Sequence, residues 1–294
     1  MDSIRLDPQY TWRGARRSGV SRQQIAEDGV ALARGLYISR SVDPDLLTRC
    51  RAWALVLPED AAFNHATAGE LLGAPVAPSP VPHVALTPRR VLPQWTGLAV
   101  HGRRLQPQDV MLHHGLSITS GAQTFLDLAP STWPGDLVAI GDSLLRGGHM
   151  TVDTLTERLA RADRVRGVVR ARACAPLLSG KAMSRPESLI RYWVATSDLP
   201  SPRAQIPVHD RWGVVRAHAD LGFEQWKVAL EYEGRQHADD DQFGRDIDRY
   251  SLMAADGWVT LRFAKRQLIR AVILDRTRRT LVSRGWRPPP RVGC

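Results

Sequence analysis

The chain has 294 residues, 43% apolar and 24% charged, with a net charge of +10 from 40 Lys and Arg against 30 Asp and Glu. This length exceeds that of a usual single domain and the composition is ordinary for globular proteins, so two or three domains are expected. No apolar run is long enough to cross a bilayer, and the acidic, Trp-containing N-terminus lacks the apolar core of a secretory signal, which points to a cytoplasmic protein without a membrane partner. Cys50, Cys174 and Cys294 stand far apart with no CxxC pair, which excludes a disulfide framework and a zinc knuckle. The Arg-rich excess favours polyanions, because guanidinium forks suit phosphate geometry; high-GC coding inflates Arg as well.

Ser21 is a good N-cap for a short helix over 22–27, and strand-like runs between Gly29 and Ile38 follow it. Helix, turn and basic hairpin in this order suggest a winged helix-turn-helix-like region over 1–58. Arg16, Arg17, Arg22 and Arg34 are then available for DNA phosphates, although such a module can equally bind protein. Residues 44–57 read as an amphipathic helix ended by Pro58.

Residues 59–180 read as a mixed α/β region. Helix is expected over 66–72 and strands over 83–87, 98–101 and 116–119. Helices are expected over 120–128, 135–146, 151–162 and 165–178. His65, His83, His101, His113, His114 and His149 have no HxxxH or HExxH spacing, which argues against zinc. The run Arg158, Arg161, Arg164, Arg166, Arg170, Arg172 reads as a solvated face rather than a nucleic-acid track.

The last region, 181–294, opens on Ser184 as N-cap with Glu187 in the third place of a capping box. Glu187 is adequately explained by that box, and it can also reach towards acidic strands. Strands are expected over 205–208, 214–221 and 228–233. In the third, Val228, Leu230 and Tyr232 share one face while Glu231 and Glu233 share the other. If the second and third strands pair as a hairpin through 222–227, Asp220 and Glu231 lie side by side, and oxygens converging from rigid strands suit a hard cation such as Mg²⁺. Acids disfavour strands, so facing acids here favour a function. A helix starting near Asp239 and ended by Gly257 carries Asp246 and Arg249 as an i,i+3 pair; a strand over 258–263 and a helix over 265–284 complete the region.

Ser184-x-x-Glu187, Asp220-Leu221, Glu231-Tyr232-Glu233-Gly234-x-x-His237, Asp246-x-x-Arg249 and Gly257-Trp258-x-x-Leu261-Arg262-Phe263 together resemble the very-short-patch-repair-like endonuclease branch of the PD-(D/E)XK nuclease superfamily. The resemblance implies an α/β chain ending in a restriction-endonuclease-like (αβββαβα) domain that hydrolyses DNA phosphodiester bonds. Carried over residue by residue, it makes Glu187, Asp220, Glu231, Glu233 and His237 catalytic, with Mg²⁺ (or Mn²⁺) on Asp220 and Glu231. Arg249 and Arg262 become candidates for neutralising phosphate charge. Glu233 stands where the superfamily carries a Lys, a departure typical of this branch, and His237 becomes the candidate base or phosphate partner. The first 180 residues are similar to winged-helix antitoxins of type IV abortive-infection toxin–antitoxin systems, on the winged-helix start and the segment Leu116 to Ala129; this implies a toxin or regulatory protein as a further partner. Two functions stay open: a metal-dependent DNA endonuclease, or a non-catalytic DNA-binding regulator or antitoxin that retains a degenerate nuclease scaffold.

Overall fold

The computed structural model describes residues 6–209, 211–234 and 240–288, the side chains of 217 and 240–246 excepted. The protein is mixed α/β and divides into two units, Met1–Thr132 with Gly147–Ala171, and Trp133–Arg146 with Arg172–Cys294. No helix among the described residues is long and apolar enough to cross a membrane.

The first unit begins with β1 (Gln9–Thr11), α1 (Trp12–Arg17), α2 (Arg22–Asp28), β2 (Gly29–Ala33) and β3 (Leu36–Ser39), the strands forming an antiparallel sheet in the order β1-β3-β2. Thr11 caps α1, Ser21 and Gln24 form a full capping box on α2, and Gly19 turns between them at φ +86°. Tyr10, Ala15, Val20 and Ile25 pack beneath, and the Asp28 carboxylate ties sheet to helix by accepting from Tyr10 (2.9 Å) and Ser39 (2.7 Å).

There follow α3 (Leu46–Ala54), β4 (Ala62–Phe63), α4 (His65–Leu71), β5 (His83–Leu86), β6 (Ala99–Gly102), β7 (Val110–His113), β8 (Leu116–Thr119) and α5 (Gly121–Leu128). These strands form a sheet in the order β6-β5-β4-β8-β7. β4 and β7 escape sequence reading for different reasons. The first is only two residues long. The second has no apolar alternation and is set instead by a tight turn in which His114 and Gly115 both take positive φ, as hairpin turns require.

After α6 (Pro134–Arg146) come α7 (Val152–Ala160) and α8 (Val168–Cys174). The single helix expected over 165–178 is shorter: Pro176 cannot donate, and a 3₁₀ turn over Ala175–Leu177 replaces the last part. The basic run is a solvated face in part: Arg161, Arg164, Arg166 and Arg172 are exposed, while Arg158 and Arg170 are drawn inward. Arg158 is buried and donates to Gln123 (2.5 Å), Arg161 pairs with the buried Asp109 (2.7 Å), and Arg170 holds the carbonyls of Ala129 and Thr132 (both 2.8 Å).

The second unit continues through α9 (Arg185–Ala195), β9 (Arg203–His209), β10 (Val215–Phe223), β11 (Val228–Glu233), α10 (Asp240–Ala255), β12 (Val259–Ala264) and α11 (Arg270–Ser283). From α9 onward the order is therefore helix, three strands, helix, strand, helix, with strand order β12-β11-β10-β9 and only β11–β12 parallel. One core joins Leu189, Ile190 and Val194 of α9 to Leu221, Leu230 and Phe263 of the sheet and to Ile273 and Leu281 of α11. A smaller one joins Ile206, Val208, Ala219 and Ala229 to Met253 of α10. Helices thus cover both sheet faces.

Helix α6 belongs with this unit rather than with the middle region because Asp142, fully buried, accepts from Arg191 and Ser188 (2.7 Å) of α9 and from the Ser179 backbone (2.6 Å). An uncompensated buried carboxylate is costly. We expect Arg191→Met to lower unfolding free energy by about 3–5 kcal/mol in guanidinium titrations, and Asp142→Asn added to it to recover much of the loss.

Candidate active site

The hairpin β10–β11 pairs Leu221 with Leu230, Gly222 with Ala229 and Phe223 with Val228, so one further step sets Asp220 opposite Glu231. The connection is a single 3₁₀ turn, Glu224–Trp226, closed by Lys227 in the left-handed region at φ +49°. On the other side β9 pairs Ile206 with Ala219 and Ala204 with Leu221. Between them, opposite Asp220, Gln205 has φ +53°. A left-handed residue inside a strand breaks side-chain alternation. Accordingly Ala204 packs with the α9 core and Ile206 with the α10 core, although both would share a face of a regular strand. Asp220 sits where the sheet changes face.

That position explains how carboxylates from both sides act on it. The Glu187 and Glu233 charges both raise the Asp220 carboxyl, and Glu231 on the adjoining strand is only 2% exposed. The Asp220 carboxyl is pushed up to about 6, by burial first and then by the Glu187 charge, against the Tyr232 N–H that donates to its Oδ2 (3.0 Å). The Glu231 carboxyl is pushed up to about 8, by burial and by the Asp220 charge, despite Arg249 Nη1 at 3.1 Å from Oε2. Its Oε1 is buried without a hydrogen-bond partner. Buried acids with raised pKa values, facing each other, mark sites where charge is meant to be supplied from outside.

Ser184 caps α9 as expected, but the reciprocal half of the capping box is replaced: the Glu187 carboxylate accepts from the Ser184 hydroxyl and the Met183 backbone rather than from the Ser184 backbone. Ser184 Oγ accepts from the Glu187 backbone (3.4 Å) and donates to Oε1 (2.8 Å), while Oε2 accepts from the Met183 N–H (2.9 Å). Glu187 thus braces the start of α9, and its charge raises the Asp220 carboxyl. Glu233 is different. Burial raises its carboxyl, but hydrogen bonds from Arg262 and from Tyr250 (2.8 Å) outweigh that and bring it below the ordinary value. Arg262 is held by that contact and Arg249 by Glu231, Tyr250 (2.8 Å) and the His218 carbonyl (3.4 Å). The expected Asp246–Arg249 pair is not described at Asp246, and His237 lies outside the described residues. In the other unit Arg16, Arg17, Arg22 and Arg34 are all exposed. Arg16 also donates to the Val20 carbonyl (2.8 Å), and the guanidinium groups of Arg16 and Arg22 lie over Trp12, 5.4 and 5.9 Å from its centroid.

One grouping was missed by spacing rules. His65, His83 and His101 offer ligand atoms within 4.8 Å of one another, the only trio of such side chains to do so among the described residues. The topology brings these three histidines together without any of the spacings that local metal motifs record. His65 opens α4, and β5 and β6 run parallel with His83 beside Ala99 and Ala85 beside His101, a register that no local motif records. The carboxylates Glu187, Asp220, Glu231 and Glu233 do not converge so closely in any three.

The fold and site define a mixed α/β protein with a buried carboxylate cluster at a sheet irregularity and a histidine trio in its other unit. No family model matches the chain. Two relatives in Mycobacterium tuberculosis, the uncharacterized protein MT2308 of strain CDC 1551 / Oshkosh and the uncharacterized protein Rv2248 of strain ATCC 25618 / H37Rv, are each 28% identical over 228 residues, spanning 76% of this chain and 81% of theirs. The crystal structure of RV2827C protein from the same organism is similar at a TM-score of 0.42 and 14% identity, over 62% of this chain and 76% of that one.

The raised Glu231 pKa has a definite sign. The folded state holds the proton up to about 8 whereas the ordinary value is 4.5, so in the absence of a cation this carboxyl removes stability progressively as pH rises between those values. Glu231→Gln is expected to raise stability by about 1–2 kcal/mol at pH 8, with the gain vanishing near pH 4 in chelator-treated thermal melts. A loss at pH 8 would mean that the ion pair with Arg249 dominates.

Proposed function

We propose that the chain is a metal-dependent DNA endonuclease whose residues 181–294 form a very-short-patch-repair-like unit of the PD-(D/E)XK type. The observation that carries this reading is Glu231, buried beside Asp220 with one oxygen unpartnered and both carboxyls raised. Hard oxygen donors on adjoining strands, one of them an orphaned acceptor, fit Mg²⁺ or Mn²⁺. Asp220 and Glu231 would hold the ion, with Glu187 contributing charge from the head of α9. A bound ion there supplies neutralisation of the scissile phosphate and acidifies attacking water.

The remaining residues position and neutralise. Tyr232 N–H fixes the Asp220 carboxylate. Arg249, now satisfied by Glu231, is placed to turn its guanidinium to a phosphate once a cation takes over that carboxylate. Glu233, kept ionised by Tyr250 and Arg262, can accept a hydrogen bond from water, and in doing so stands in for none of the positive charge a Lys would bring. The exposed Arg16, Arg17, Arg22 and Arg34 would add sequence-independent attraction to DNA phosphates.

Glu233, ionised but paired with Arg262 where a Lys would stand, favours a second reading, a DNA-binding regulator or antitoxin with a protein partner, in which the carboxylate cluster is retained without turnover. Incubation with supercoiled plasmid and mismatched duplex, in Mg²⁺, Mn²⁺ or EDTA, separates the two. Cleavage that needs the ion and falls at least about 100-fold in Asp220→Ala and in Glu231→Ala supports the nuclease. Cleavage surviving both substitutions overturns the site. Salt-sensitive binding with no cleavage in either metal supports the regulator.

A further inference from the structure

The histidine trio is a site in its own right. The His65 and His101 rings stack with centroids 4.1 Å apart, and His83 lies 5.1 Å from His101 and 5.7 Å from His65. His83 Nδ1 and His101 Nε2 are 2.9 Å apart, and on the far edge of its ring His83 Nε2 is 2.9 Å from Ser79 Oγ. His65 Nδ1 is buried and has no hydrogen-bond partner.

These facts fit together through proton placement. When Ser79 accepts from His83 Nε2–H, the His83 Nδ1 lone pair is turned inward. The close contact with His101 Nε2 then holds one shared proton, and His65 Nδ1 has nothing to share. An ion seated among the three would replace that proton and use every inward lone pair, with Ser79 orienting His83 as outer-shell oxygens orient metal-bound imidazoles.

Two further observations make packing alone a poor account. His65 holds a left-handed backbone at φ +49°, a conformation costly for a residue with a Cβ and kept where surroundings demand the side chain. Next to it Asn64 is fully buried with both amide atoms unpartnered. One feature opposes a cation: the Arg103 charge reaches His65 and His101, but that guanidinium is itself paired with the buried Asp127 at 3.3 Å.

We propose that His65, His83 and His101 bind one zinc-class divalent ion through three neutral imidazole nitrogens, leaving a fourth position for water. Imidazole donors without carboxylate or thiolate suit Zn²⁺ and not Mg²⁺, and three protein ligands with partial exposure match open rather than closed zinc sites. The site is independent of the carboxylate cluster and of any nuclease activity.

Calorimetric titration of ZnCl₂ into the chelator-treated full chain, in an Asp220→Ala/Glu231→Ala background, tests this directly. One equivalent is expected to bind, and CoCl₂ in its place should give the intense visible absorption of a four-coordinate ion. His101→Ala and His65→Gly should each weaken binding at least about 100-fold, and Ser79→Ala roughly 10-fold. Gly accepts the left-handed backbone, so His65→Gly should keep or raise the melting temperature in EDTA, which separates loss of ligand from loss of fold. Absence of stoichiometric Zn²⁺ binding, or binding unchanged in both histidine variants, overturns the proposal.

Discussion

The constraint on which the second unit depends is electrostatic. The β10–β11 register brings Asp220 and Glu231 face to face, and Glu187 adds its charge from α9, in surroundings that leave Glu231 almost no water. Against these carboxylates helix α10 supplies Arg249, while Arg262 is already engaged by Glu233. Desolvation and like-charge repulsion both favour protonation, which is why both carboxyls are raised and why the Arg249 contact does not bring Glu231 back to its ordinary range. A core selected for stability alone would place apolar groups here, since a well-packed apolar replacement for buried charge is often neutral or stabilising.

The backbone around the cluster serves the same arrangement. A regular β9 would put Ala204 and Ile206 in one core and leave Asp220 opposing a regular partner. The left-handed Gln205 instead lets one strand feed the α9 core at one end and the α10 core at the other. The cost of one strained residue is on the order of 1–3 kcal/mol, and it is borne within a sheet whose hydrophobic faces are otherwise filled by Leu221, Leu230 and Phe263 on one side and Ala229 and Met253 on the other. Strain sited beside frustrated charge points to the same few residues from backbone and side chain alike.

How much of this was legible in the sequence follows from the range of each interaction. The alternation Val228, Leu230, Tyr232 against Glu231, Glu233 is local, and so is the Ser184 N-cap of α9, and both are present as read. The hairpin placing Asp220 beside Glu231 was also readable, because its turn is short. Strand β7 was not, since its determinant is the positive φ of His114, which most sequences would assign to Gly or Asn. The basic run was legible only in part, since Arg164, Arg166 and Arg172 are exposed as read but the partners of Arg158 and Arg161 are not local. Arg158 and Arg161 are neutralised by Asp109 from about fifty positions earlier, 49 and 52 residues away, and helical periodicity says nothing about that. The Asp142–Arg191 pair, likewise, joins helices that no spacing rule connects.

The histidines make the same point for chemistry. Motif spacing records only sites whose ligands share one helix or one turn, whereas His65, His83 and His101 meet because β5 and β6 lie parallel and α4 begins where β4 ends. The two clusters then differ in kind as well as in origin. Oxygens dominate one and imidazole nitrogens the other, so ions would sort between them by softness and geometry rather than by affinity alone. A borderline ion binds oxygen sites more tightly than Mg²⁺ does, and would poison a carboxylate centre at equal free concentration. It is the nitrogen-only composition of the trio, tighter still for such an ion, that would let one chain hold both metals without exchanging them.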